Sequence, residues 1–210
     1  LSVGYRDQLQ PDAVIHMNGT RVVAEGKTLY EHTMDKKLLK RLLAFGKERG
    51  IALGVTMENG DYYTAPEEVE RIDVLRWGET SRHFEDPMKL LELPVRTLAY
   101  IGGPDRVREL EEHFPECKFF MFAGKTGADV VENEASEAEG LKRLCEYYGM
   151  DLSQTVAFGD SMNDFEIVSR AGIGIAMGNS VEELKAAADY VTDPIDRDGV
   201  WNACRHFGWI

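Results

Sequence analysis

Nothing in this 210-residue sequence is apolar for long enough to cross a bilayer. Its start does not read as a signal peptide, because Leu1 to Pro11 is polar and has no apolar h-region. Basic residues are scarce: Lys and Arg total 24 against 37 Asp and Glu, a formal net charge of −13. A field of that sign repels nucleic-acid backbones and anionic membranes, so neither is expected as a partner. It also repels a phosphorylated ligand unless a local cation intervenes. Cysteine is sparse too. Cys117, Cys145 and Cys204 are far apart, odd in number and not in a metal-ligand spacing, which fits the reduced thiols of a cytoplasmic protein. Internal repeats and low-complexity tracts are missing. Residue 1 is Leu rather than Met, so a processed, trimmed or incomplete chain is expected. The hydrophobic content of 43% suffices for the core of one large domain or two small ones.

The stretch Thr155 to Asp164 organises the rest. The apolar run Val156 to Phe158 reads as a short buried strand that stops at Gly159, followed by the polar cluster Asp160, Ser161, Asn163 and Asp164. Apolar residues then recur at Met162, Phe165, Ile167 and Val168, which is helical spacing. Carboxylates therefore sit where a strand hands over to a helix, the edge at which open α/β sheets bind ligands. Two acids and an amide crowded there repel one another unless something cationic lies between them. Oxygen donors with no His or Cys nearby favour Mg²⁺ over Zn²⁺.

Ahead of that stretch the pattern is mixed. Ala13 to Met17 reads as a strand ending in the turn Asn18-Gly19, and the segments 21–24 and 29–32 as a hairpin. Asp35 is placed to cap a helix that Gly50 stops. Residues 51–57 and 62–64 flank Asn59-Gly60, which predicts a type I′ turn with positive φ at both residues. A helix is expected over 65–77, then a poorly patterned stretch over 78–94, a strand over 97–101, a helix over 105–114, and a strand pair at 118–122 and 128–131. After Glu132 the pattern changes to strict strand–helix alternation. Ser136 with Glu139 and Ser180 with Glu183 read as capping boxes opening two of its helices. Alternation of this kind implies a parallel sheet. The expected organisation is an α/β, Rossmann-like core formed by residues 1–18 and 132–210, with residues 19–131 as an inserted α+β module.

The series Gly159-Asp160-Ser161-Met162-Asn163-Asp164, Ala176-Met177-Gly178-Asn179, Ala188-Asp189-Tyr190-Val191 and Asp198-Gly199 resembles the C-terminal half of Cof-type phosphatases of the haloacid dehalogenase superfamily. The resemblance covers most of the chain, with Ile15 to Gly19 similar to that family's crossover from core to cap domain. It implies Mg²⁺-dependent hydrolysis of a small phosphorylated metabolite, such as a sugar phosphate, through an aspartyl-phosphate. By the same resemblance Asp160 is the direct metal ligand, Asp164 holds the metal's water shell, and Asn163 hydrogen-bonds the phosphate.

Two features depart from that family. The nucleophile segment DxDGT and the strand after it do not precede Asn18, so no catalytic residue is assigned in this chain, and the core is expected to lack its first two strands. The string Asp196-Arg197-Asp198-Gly199 is read as a turn into the last helix, since Pro194 intervenes and Val200 stands where Thr would. At the position where the family carries a phosphate-directed Lys, this sequence has Glu137. A non-catalytic remnant or metabolite-binding module is therefore the competing expectation. Lys142 and Arg143 read as solvated helix residues and His16 as a packed strand residue. Asn179 either positions the loop of Asp160 or ends a strand, and Trp77, Arg82 and His83 form either a pocket wall or a solvated loop. Sequence immediately upstream of Leu1 is expected to encode a strand ending in DxDGT; an upstream reading frame without one favours the non-catalytic reading.

Overall fold

Strand β1 (Ala13–His16) pairs antiparallel with β2 (Arg21–Ala24), which pairs with β3 (Lys27–Glu31). The β2–β3 turn is made by Glu25 (φ 49°) and Gly26 (φ 75°), the two left-handed residues a tight hairpin requires. The computed structural model describes residues 8–122 and 124–210. Their contacts form two units, one of residues 8–32 with 135–210 and one of residues 33–134. The contacts thus group residues 19–32 with β1 and residues 132–134 with the other unit, whereas the sequence grouped 19–131 as the inserted module and 132–134 with the core. Val22 and Ala24 explain it: both are fully buried on the strand that pairs with β1.

In the second unit Asp35 caps α1 (Lys36–Arg49), accepting from the backbone of Lys37 and Leu38, and Gly50 ends it in the left-handed conformation. Then follow β4 (Ala52–Met57), β5 (Gly60–Tyr63), α2 (Pro66–Trp77), a 3₁₀ segment at Pro87–Glu92, β6 (Leu98–Ile101), α3 (Pro104–His113), β7 (Cys117–Met121) and β8 (Gly127–Glu132). The strands form one antiparallel sheet in the order β5-β4-β6-β8-β7. The apolar stripe of α1 (Leu38, Leu39, Leu42, Leu43) meets Leu53, Leu98, Tyr100 and Val130 of the sheet, together with Val107 and Leu110 of α3.

The β4–β5 turn differs from the expected one. Met57 pairs with Gly60, so the central residues are Glu58 and Asn59, and neither has positive φ. The register is fixed from inside the ladder rather than by the turn. Thr56 faces Asp61 and donates its hydroxyl to Oδ1 of that residue at 2.7 Å. The backbone of Asp61 in turn bonds His83 and Glu85.

After Glu134 the chain alternates α4 (Glu137–Tyr148), β9 (Val156–Gly159), α5 (Phe165–Arg170), β10 (Ile173–Ala176), α6 (Glu182–Ala187), β11 (Tyr190–Val191) and α7 (Gly199–His206). The three strands form the expected parallel sheet, in the order β11-β10-β9. Among the described residues β9 pairs only with β10 and β1 only with β2, so this unit holds two separate sheets. The fold class is the one expected, an α/β core whose chain is interrupted by an α+β unit. Both predicted capping boxes are incomplete. The Ser136 hydroxyl accepts from the Glu139 N–H, but the Glu139 carboxylate turns to Arg170 at 2.9 Å. Ser180 donates its hydroxyl to the Met177 carbonyl instead of capping α6. No helix among the described residues is long and apolar enough to cross a membrane.

Arg82 and Trp77 line a cavity of about 400 Å³, as the pocket-wall reading expected, while His83 is exposed; the Arg82 guanidinium is tied to that wall. Its Nε and Nη2 donate to the two oxygens of Asp73 at 2.6 and 3.1 Å, and Nη1 donates to Asp61 and Thr56, each at 2.9 Å. The two carboxylates are only 6% and 9% exposed. Hydrogen bonds and charge from Asp73 and Asp61 raise the guanidinium's pKa above its ordinary value. Removing the shared cation strands two nearly buried carboxylates, a loss of about 3–5 kcal/mol. Urea unfolding of Arg82→Met is expected to show that loss, and Asp61→Asn with Asp73→Asn in the same chain to restore part of it.

Candidate functional site

Strand β9 ends at Gly159, whose Cα lies so close to Asp164 that a Cβ there would stand 2.6 Å from the Cβ of Asp164 and 2.8 Å from Cγ2 of Val168. Glycine at this position lets the loop fold back. Asp164 Oδ2 then accepts the backbone N–H groups of Asp160 and Ser161 at 2.8 and 3.1 Å. Its carboxylate is thus occupied in fixing the loop. Asp160 itself is exposed, and its carboxylate makes no hydrogen bond or ion pair among the described residues.

Asp160 and Asp164 border a cavity of about 360 Å³ with Phe158, Met177, Ile195 and Val200 as apolar wall and Asn179 as a further polar group. Among the described residues no Lys or Arg lines it. Asn163 is absent from that lining: its Nδ2 faces Asp164 Oδ1 at 3.4 Å, and it also bonds Glu137. Glu137, the first residue of α4, reaches this cluster too and is in hydrogen-bond contact with Asp164. Burial first, then the charge of Asp164, pushes the Glu137 carboxyl up from 4.5 to about 7. All four residues singled out in the sequence therefore meet at one strand end, Asp160 and Asp164 lining the cavity and the half-buried Asn163 and Glu137 outside its lining.

The apolar wall was not foreseen. Ile195 and Val200 arrive from the loop and helix after β11, and nothing in their spacing marks them as site residues. The string Asp196 to Gly199 forms a 3₁₀ turn and a left-handed Asp198 (φ 56°) leading into α7, as expected, and does not end a strand.

A profile of the haloacid dehalogenase-like hydrolases matches residues 3–204. The chain belongs to that family, in its Cof-type branch. YkrA of Bacillus subtilis, which carries a provisional phosphatase assignment, is 30% identical over 209 residues, covering 97% of this chain and 79% of its own. The solved structure of BT4131, a sugar phosphatase of subclass IIB, superposes with a TM-score of 0.84 at 27% identity, over 99% of this chain and 80% of that one. BT1666 of Bacteroides thetaiotaomicron shares the fold at a TM-score of 0.89 and 24% identity, over 100% and 78% of the two chains.

Phosphatases of this family generally use Mg²⁺. No group of three or more His, Cys, Asp or Glu side chains able to hold a metal occurs among the described residues. Magnesium, however, keeps most of its waters and takes only one or two carboxylates plus ligand phosphate, so one free carboxylate on a braced loop fits it.

Because Glu137 holds its proton more tightly in the folded protein than at its ordinary 4.5, it costs nothing below that pH. Stability is lost as pH rises from there through about 7 and is fully lost only above it. In EDTA, Glu137→Gln is expected to stabilise the protein by about 1–2 kcal/mol at pH 8 and negligibly at pH 4, read from denaturant midpoints at the two pH values.

Proposed function

We propose that this chain carries the metal- and phosphate-binding half of a Mg²⁺-dependent phosphatase acting on small phosphorylated metabolites, sugar phosphates or similar, through an aspartyl-phosphate. The observation that carries the reading is the free Asp160 carboxylate held at the mouth of the parallel sheet by a loop that Asp164 braces. The sugar phosphatase activity of BT4131 supports the substrate class.

Asp160 would bind the ion directly and Asp164 would act on its waters from behind the loop. The bound ion supplies positive charge that offsets the phosphoryl oxygens. Everything else falls to the chain's own side chains. Asp164 keeps the backbone of residues 160 and 161 from relaxing, which fixes the direction in which the Asp160 carboxylate points. Asn163 contributes an amide donor once a ligand competes with the carboxylates it now faces. Phe158, Met177, Ile195 and Val200 make one wall apolar, so water there is easily displaced and charge interactions at the cavity strengthen. A DxDGT nucleophile segment is not found in this sequence, so the covalent step is assigned to no residue of it.

A second reading, a metabolite-binding module without catalysis, is favoured by one observation: Glu137 sets a carboxyl group against Asp164 and Asn163 where a cation would assist phosphate. Binding measurements test both readings. Asp160→Ala is expected to abolish Mg²⁺ binding by calorimetry and Mn²⁺ binding by electron paramagnetic resonance. Glu137→Lys is expected to tighten inorganic phosphate about tenfold, the value of one modest charge contact. Metal affinity unchanged in Asp160→Ala refutes the metal site, and phosphate affinity unchanged in Glu137→Lys refutes the role given to that position.

A further inference from the structure

The cavity beside Asp160 has an unusual set of polar neighbours for a phosphate site. Two are carboxylates, no basic side chain among the described residues lines it, and the amide of Asn163 faces Asp164. The remaining polar lining group is Asn179. Its orientation is set by the structure. Oδ1 accepts the backbone N–H of Ile195 at 3.0 Å, which assigns the oxygen to that side and leaves the NH₂ on the other. Nδ2 donates to no group among the described residues.

The turn carrying Asn179 is held on three sides. Met177 N–H donates to the carbonyl of Gly159 at 2.9 Å, tying the turn to the strand end that bears Asp160. Gly178 N–H donates to Asp193 at 3.2 Å, and a Cβ on Gly178 would stand 2.6 Å from Pro194, so the two loops pack backbone to backbone. The Ser180 hydroxyl closes the turn on the Met177 carbonyl at 2.6 Å. A donor on a braced turn, registered to the same strand end as Asp160, is preorganised to meet an oxygen anion.

We propose that Asn179 is a ligand-binding residue whose Nδ2 donates a hydrogen bond to an oxygen of the bound phosphoryl group, a donor additional to the Asn163 amide. The inference rests on the phosphate-binding function proposed above. An amide suits the position because it contributes a donor without competing with Asp160 for the cation, and its oxygen keeps the 194–195 loop in place.

Two substitutions separate donor, charge and loop. Asn179→Asp keeps an acceptor for Ile195 N–H and removes the donor. Asn179→Ala removes both without adding charge. Inorganic phosphate is titrated into the purified protein at saturating Mg²⁺ and followed by calorimetry and ³¹P NMR, with Mn²⁺ affinity and the thermal midpoint measured in parallel. Both variants are expected to lose phosphate affinity, about tenfold for Asn179→Ala and more for Asn179→Asp. Mn²⁺ affinity is expected to be unchanged in Asn179→Ala and unchanged or tighter in Asn179→Asp. Loss of phosphate affinity in only one variant overturns the proposal, because the charge or the loop tie then accounts for it. So does a parallel loss of Mn²⁺ affinity in Asn179→Ala. Wild-type protein that binds no phosphate, together with Asp160→Ala that leaves metal affinity intact, overturns the underlying function as well.

Discussion

The Asp164 carboxylate accepting two successive backbone N–H groups is the interaction on which the candidate site depends. A strand that ends at a sheet edge leaves its next few amides without partners, and a loop there has many conformations available to it. One short side chain placed four residues on satisfies two of those amides at once. It converts the loop into a fixed support and so determines where Asp160 points. Gly159 is the other half of the device, since any side chain at that position would collide with Asp164. Strand end, glycine, free acid and bracing acid form one unit, and changing any one of them alters the geometry of the others.

The same economy explains why the two acids are not equivalent. Asp160 is exposed and free of protein partners among the described residues, which leaves its charge available to a cation. Asp164 spends its charge on backbone dipoles. A charge-assisted hydrogen bond is roughly twice as strong as a neutral one, so two of them hold the loop firmly against the pull of a bound ion. Magnesium, reluctant to shed water, requires few protein ligands but well-placed ones.

Much of this was legible in the sequence because it depends on local chemistry. The strand-to-helix handover at 156–168, the Asp35 cap, the Gly50 stop, and the parallel alternation after residue 132 each rest on a few adjacent residues, and each appears where expected. What was not legible depends on tertiary partners. The Asn59-Gly60 pair has the strongest turn chemistry in the chain, yet Thr56, Asp61 and the 83–85 backbone fix the register one residue away from it. Glu139 and Ser180 have capping-box spacing, but Arg170 and the Met177 carbonyl compete for their side chains. Arg82 lies in a stretch with no periodicity, and only the folded chain shows that it neutralises two nearly buried acids. Sequence reading fails here at residues whose best partner is far away along the chain.

Glu137 shows how opposing terms at the site balance. As the first residue of α4 it lies at the positive end of a helix dipole, which favours a carboxylate by about 0.3–1 kcal/mol. Burial and Asp164 oppose that, and the rise of its pKa to about 7 shows that they win. With no basic group among the described residues to offset them, this carboxyl keeps its proton to a higher pH than an ordinary glutamate. A divalent cation at Asp160 would act on the same cluster with the opposite sign, drawing negative charge toward itself and favouring loss of that proton. Phosphate would act against it. On the proposed function, Glu137 would therefore couple the responses to metal and to phosphate in opposite directions, which a Lys at the same position would not do.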